Sequence, residues 1–239
     1  MPFLLFHFYL LDSTHLKARE LLDEDVTPPF VVQAEVQEAG RGRYGRTWFS
    51  PIGGLWFTVV FPPLSPQEFA HITVFASEAV AQALQEMGVQ GIRIKVPNDL
   101  ILHGHKVGGL LGEWDSRAAL LGIGLNTRVA HFPEPLEQRA GSLDRLAGVS
   151  LHHPTLLSRI LQRLETLYQD VLHGTWEPWY RAWHQRLLGI GRRVRFLYPP
   201  QNRHVEGVFQ GITPHFEVQV DGRLYDLARL KDFREVPED

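Results

Sequence analysis

Seven residues, Gly40 to Arg46 (GRGRYGR), hold three glycines and three arginines between two β-rich runs, FVVQAEVQ (Phe30 to Gln37) and LWFTVVF (Leu55 to Phe61). The flanks restrict the fold more than the segment does. Gly40-x-Gly42-x-x-Gly45 matches the dinucleotide-binding fingerprint by letter, but that fingerprint needs a helix directly after its glycines. Here Trp48, Phe49, Ser50, Pro51, Gly53 and Gly54 follow, and no helix survives them. The context is strand, loop, strand, and the dinucleotide reading is rejected.

Three readings of the loop remain. Glycine lets amide N–H groups approach a ligand closely, and arginine forks grip carboxylate or phosphate oxygens in pairs. Side-by-side cations on pliant backbone therefore read as an anion clamp, mobile until an anionic ligand orders it. The second reading is a groove for single-stranded nucleic acid, with Arg41, Arg43 and Arg46 beside Tyr44, Trp48 and Phe49; no other basic run extends such a groove. The third is a solvated surface loop. The anion clamp is preferred.

Around this loop the periodicities predict a mixed α/β chain. Phe3 to Leu11 reads as a first, buried strand: it has no basic leader or small-residue cleavage site, and a membrane span takes about 20 apolar residues. Asp12, Ser13 and Thr14 are cap residues for a helix through Leu22. Ser65-Pro66-Gln67-Glu68 is a capping box opening a helix with the stripe Phe69, Ile72, Ala76, Ala79, Ala83 and Met87, stopped by Gly88. His153-Pro154-Thr155 opens another, ended by Gly174, and Trp176, Trp179 and Trp183 suggest a short packed helix after it. From about Gly191 short alternating strands with an Asp221-Gly222 turn read as a small β-barrel of roughly 45 residues. Residues 1–189 and 190–239 are expected to form two domains.

A second constellation lies in IKVPNDLILHGHKVGGLLGE, Ile94 to Glu113. Arg93 and Lys95 share one face of a strand that Pro97 ends. Asn98 and Asp99 follow at the turn, and Lys106 emerges from a hairpin before Gly108 and Gly109. In LLGIGLNT, Gly122 and Gly124 bare one strand face, where a ligand or another backbone can come close, and Asn126 follows at the strand's end. Taken singly, Lys106 is a solvated turn lysine, Asp99 a turn-former and the bare face a packing contact. His103 and His105 have no third ligand for zinc, and no serine–histidine–acid pattern is present.

The 239 residues carry a net charge of −3 and no cysteine. No global basic field draws the chain to nucleic acid or a membrane. Disulfides, thiolate metal sites and a cysteine nucleophile are excluded, and a reducing, cytoplasmic setting is expected.

These pieces in this order resemble the biotin–protein ligases: DST at 12–14, QEAGRGRYGRTW at 37–48, KVPND at 95–99, KVGGLLGE at 106–113 and GIGLN at 122–126. The resemblance implies an α+β fold: a central mixed β-sheet with flanking helices, of the class II synthetase-like kind, then a small SH3-like β-barrel. Some members add an N-terminal DNA-binding domain; this chain starts at the catalytic domain and is expected to lack it. The implied reaction joins biotin to ATP as biotinyl-5′-adenylate, then passes biotin to a lysine of the biotin carboxyl carrier domain of a carboxylase. Biotin and ATP are the implied substrates, with Mg²⁺ accompanying ATP and its protein ligands unassigned.

By motif match, Ser13, Thr14, Gln37, Arg41, Gly42, Arg43, Lys106, Gly109 and Gly124 would bind biotin. Arg43, Arg46, Trp48, Asn98, Asp99 and Asn126 would bind ATP or the adenylate, and Lys106 and Arg43 would be catalytic. Val96 stands where the family usually has tryptophan and His15 where it usually has asparagine. The family's C-terminal Gly-Glu pair is absent from DLARLKDFR, so no barrel residue is assigned. Relatives often pair through the central sheet, so a homodimer is open; no nucleic-acid or membrane partner is expected. The alternatives are a lipoate or octanoate ligase or transferase of similar fold, and a non-enzymatic biotin sensor or nucleic-acid module.

Overall fold

Two strands flank the arginine loop because a seven-stranded sheet runs through this part of the chain. The computed structural model describes residues 2–236. Its first body comprises β1 (Leu4–Leu11), α1 (Thr14–Asp23), β2 (Phe30–Gln37), β3 (Leu55–Phe61), α2 (Pro66–Glu86), β4 (Arg93–Lys95), β5 (Asp99–Leu102), β6 (His105–Trp114), β7 (Ala119–Leu125), α3 (Leu143–Ala147), α4 (His153–Leu172) and α5 (Glu177–Arg186). The sheet order is β1-β2-β3-β7-β6-β5-β4. β1 and β2 run parallel, joined through α1, and the other neighbours are antiparallel. This is the mixed sheet with flanking helices that the sequence implied.

Period-two alternation sorts the side chains between two cores. On β7, Ala119, Leu121, Ile123 and Leu125 join the larger cluster under α2 and α4, while Leu120 joins a smaller one with Ala18, Leu21 and Leu22 of α1. Gly122 and Gly124 share Leu120's face and leave it bare. On β6, Gly112 faces the other way, and a Cβ there would come within 2.7 Å of Thr73, so glycine is what lets α2 lie this close. The helix starts follow local chemistry: Ser13 caps α1, and Ser65 and Glu68 form the reciprocal box on α2. Trp183 is fully buried, its indole N–H donating to Ser77 Oγ at 3.1 Å. Val96 fills the position of the missing tryptophan as a core residue, 3% exposed.

One expectation needs correcting. β1 is not a buried strand but the edge of the sheet, with Leu4, Leu5, Tyr9 and Leu10 exposed. Its apolar composition disguised an edge strand whose exposed residues lie on both faces, Leu4 and Leu10 on one and Leu5 and Tyr9 on the other.

After α5 the chain enters a five-stranded antiparallel sheet of the SH3-like kind, built from β8 (Arg193–Tyr198), β9 (Arg203–Ile212), β10 (Glu217–Val220), β11 (Arg223–Asp226) and β12 (Lys231–Glu235) in the order β11-β10-β9-β8-β12. Asp221 and Gly222 make the β10–β11 turn with positive φ. β12 and α3 had no distinct signal in the sequence. Among the described residues, no helix is long and apolar enough to cross a membrane.

Candidate active site

A cavity of about 370 Å³ opens on the bare face of the sheet, between the N-terminus of α1, the arginine loop and the 230–233 segment of the second sheet. Every residue nominated from the sequence lines it: Ser13, Thr14, Gln37, Arg41, Gly42, Arg43, Arg46, Trp48, Asn98, Asp99, Lys106, Gly109, Gly124 and Asn126.

At the inner end the polar groups are tied together. The Thr14 amide and hydroxyl both donate to Gln37 Oε1, at 2.8 and 3.1 Å, and Thr14 Oγ1 lies 2.9 Å from Thr58 Oγ1. Gln37 Nε2 donates to Ser50 Oγ at 2.9 Å, which donates to the Trp48 carbonyl at 3.0 Å. This chain links the cap of α1 to the root of the arginine loop. Thr58 escaped sequence reasoning, yet a lone polar residue inside LWFTVVF was a usable signal; it is fully buried.

Beside this end sits His15, 3% exposed, its Nε2 3.2 Å from Glu113 Oε2. Arg19 donates to the same carboxylate oxygen at 2.5 Å. The His15 imidazole, ahead of the Arg19 guanidinium, holds the Glu113 carboxyl well below the usual carboxylate range, at about 2, against the opposing effect of burial.

The arginine loop is itself a small hairpin. Gln37 bridges to Ser50 and Arg41 to Thr47, and a single 3₁₀ turn spans Arg43–Gly45. Tyr44 and Gly45 take positive φ at its tip. The Tyr44 hydroxyl donates to the Leu230 carbonyl at 2.8 Å and receives Arg43 Nη2 at 3.0 Å. Lys231 Nζ stands 4.9 Å from the Tyr44 ring centre, and Arg46 pairs with Asp232. Leu230, Asp232 and Phe233 thus wall the cavity from the second sheet. No sequence signal assigned them, because nothing local to them announces a site 186 positions away.

Trp48 lies on the bared strands. Cβ atoms on Gly109 and Gly124 would fall 3.0 and 2.6 Å from its indole, so glycine is required for the ring to seat. Lys106 Nζ stands 4.9 Å from the Trp48 ring and 2.7 Å from Asp99 Oδ1. Register places Asp99 opposite Gly109, and a bulge between Leu100 and Ile101 sets Lys106 opposite Ile101. Asn126 Nδ2 donates to the Lys106 carbonyl at 3.2 Å, and Asn98 donates its amide to the Leu110 carbonyl. These two asparagines fix the strand ends that carry Lys106 and Asp99. The cavity thus joins a neutral polar end, a floor bared by glycine, and a cationic end carrying Lys106, Arg41, Arg43 and Arg46. Such a shape suits an elongated ligand with a polar head and an anionic tail.

Residues 7–127 match the model of the Biotin/lipoate A/B protein ligase family. A biotin--[acetyl-CoA-carboxylase] ligase of Paracoccus denitrificans is 36% identical over 216 residues, covering 84% of this chain and 87% of the relative. The bifunctional ligase/repressor BirA of Bacillus subtilis is 32% identical over 211 residues. That match covers 84% of this chain and 63% of the relative, so the chain spans under two thirds of it. A biotin protein ligase from Aquifex aeolicus, solved with biotin and ATP, shares the fold at a TM-score of 0.86 and 24% identity, covering 98% of this chain and 99% of its own. With its mixed sheet, glycine-bared cavity and this breadth of similarity, the chain belongs to the Biotin/lipoate A/B protein ligase family.

Proposed function

We propose that the chain is a biotin–protein ligase. It activates biotin with ATP to biotinyl-5′-adenylate and transfers biotin to a lysine of the biotin carboxyl carrier domain of a carboxylase. The observation that carries this reading is the meeting, in one cavity, of a polar pocket at Ser13, Thr14 and Gln37 with a cationic end at Lys106 and the arginine loop. A ureido head with a carboxylate tail is complementary to both ends at once.

In the first step a biotin carboxylate oxygen forms a bond to the α-phosphorus of ATP, and pyrophosphate leaves with the bonding electrons. In the second, the amine of the carrier lysine attacks the acyl carbon. An amide bond forms, AMP departs and the amine loses a proton. Two anions must meet in the first step, so the protein's task is to neutralise their repulsion and steady the charge that develops on phosphorus. Lys106 exchanges the Asp99 carboxylate for the carboxylate of biotin and the bridging oxygen. Arg43 and Arg46 face the phosphates, and Trp48 takes the adenine side. The loop and the 230–233 segment keep water from the mixed anhydride. Among the described residues no group of three acidic or histidine side chains is placed to hold a metal. A Mg²⁺ ion accompanying ATP would supply charge neutralisation at the phosphates, beside Arg43 and Arg46.

Purified chain with biotin, MgATP and a carrier domain should release AMP and pyrophosphate and yield biotinylated carrier. Lys106→Ala or Arg43→Ala should lower the adenylation rate by at least about 10²-fold. An undiminished Lys106→Ala rate would remove that residue from the mechanism, and modification of carrier by lipoate but not biotin would replace the reading.

A further inference from the structure

Resting on the ligase reading, we infer that Tyr44 is a positioning residue: it latches the tip of the arginine loop to the second sheet and so retains the adenylate until the carrier lysine arrives. Three consecutive residues of that sheet engage the tip. Leu230 offers its carbonyl to the Tyr44 hydroxyl at 2.8 Å, Lys231 places Nζ 4.9 Å from the Tyr44 ring centre, and Asp232 pairs with Arg46. Neither side of this contact is regular backbone. Tyr44 has φ 59° and Asp232 φ 55°, left-handed values that cost free energy in a residue with a side chain. The β12–β8 register also shifts between Lys231 and Arg234, and irregularities of this kind re-aim side chains. Strain on both partners is offset by the contact they make.

The contacts differ in what an anionic ligand does to them. The side chains of the Arg46–Asp232 pair are 69% and 58% exposed, and phosphates compete directly for that guanidinium. The bond from Tyr44 to Leu230 joins a neutral hydroxyl to a backbone carbonyl, so no anion displaces it. The same hydroxyl receives Arg43 Nη2 at 3.0 Å, and the Arg43 guanidinium stands 5.0 Å from the Tyr44 ring centre. One N–H of Arg43 is thereby fixed to the second sheet through a single oxygen, and its other N–H groups stay available for phosphate oxygens. The bridges Gln37–Ser50 and Arg41–Thr47 hold the loop at its root and stem. Tyr44 supplies the attachment at the tip, the end that must otherwise swing for the adenylate to leave or for water to enter.

Pyrophosphate release by the full chain with biotin and MgATP, in the absence of carrier, separates formation of the adenylate from its loss. Wild type should give a burst as the site fills, then a slow steady rate set by escape of the adenylate or its hydrolysis to biotin and AMP. Tyr44→Phe deletes one oxygen and keeps the ring. Its burst should persist while the steady rate rises about fivefold, the size expected for one hydrogen bond. Lys231→Met should raise the steady rate of wild type and add nothing in a Tyr44→Ala background. An unchanged steady rate in Tyr44→Phe overturns the inference. So does a smaller burst with no faster steady rate, the mark of a merely structural role, or an equal effect of Lys231→Met in both backgrounds. In each of these cases the wild-type burst stands, and the ligase reading with it. No burst from wild type with biotin overturns the ligase reading, and this inference with it.

Discussion

Gly124→Ala is the sharpest test of how the cavity is built. Gly124 does not have left-handed backbone, so contact alone decides the outcome. The new Cβ would stand 2.6 Å from Trp48 Nε1 and 2.8 Å from Cε2, where ordinary contact begins near 3.4 Å, so the indole must retreat by about 0.8 Å. On the β6 side the Lys106 ammonium, 4.9 Å from the ring centre, resists a sideways shift. Its backbone is held as well: the Trp48 amide donates to Gly40 O at 2.8 Å and Ser50 donates to the Trp48 carbonyl. The ring must lift off the sheet and carry the loop with it. Overpacking of this kind costs about 1–3 kcal/mol; for a ring on a loop the lower half applies, about 5- to 30-fold in affinity for a ligand that needs the ring seated. Titration with a non-hydrolysable adenylate analogue measures it, with urea melts as the control for folding. In a Trp48→Ala background the clash is gone, and adding Gly124→Ala should cost no more than a few tenths of a kcal/mol. An equal loss in both backgrounds would refute the seating of Trp48 on Gly124.

Two further outcomes follow from buried charge. Glu113 has its pKa lowered from 4.5 to about 2, so it contributes stability above the unfolded value that is lost as pH falls through the folded one; Glu113→Gln should flatten the acid limb of urea-melt stability between those two pH values. Glu78 is 1% exposed on α2 and paired with Arg186 Nε at 2.7 Å, while burial pushes its pKa up. Arg186→Ala should destabilise the chain by about 3–5 kcal/mol in urea melts. Because a carboxyl whose folded-state pKa is raised above its ordinary value of 4.5 loses stability as pH rises, that deficit should deepen with increasing pH above that value.

The elements with strong local rules were legible. Ser65 to Glu68 announces its helix by capping chemistry, and Pro51 with the glycines around it rules out a helix after the arginines. The site was legible in part, because its residues cluster in runs whose spacing exposes them: Gly122, Gly124 and Asn126 on one strand, Asp99 and Lys106 across one hairpin. Composition misjudged β1, since an apolar run does not say which neighbours will cover it. Asp232 and Leu230 reach the cavity through the packing of a second sheet, and Tyr44 is the residue that meets them. Long-range docking of this sort leaves no period in the sequence.

The hydrogen bond from Tyr44 to Leu230 ties together positions 186 apart. Contacts so distant along the chain carry a loop-closure cost that only the docked sheets repay. A half-folded molecule would therefore present the glycine floor as an open trough. Enclosure of the cavity thus depends on the second sheet staying docked against the loop tip.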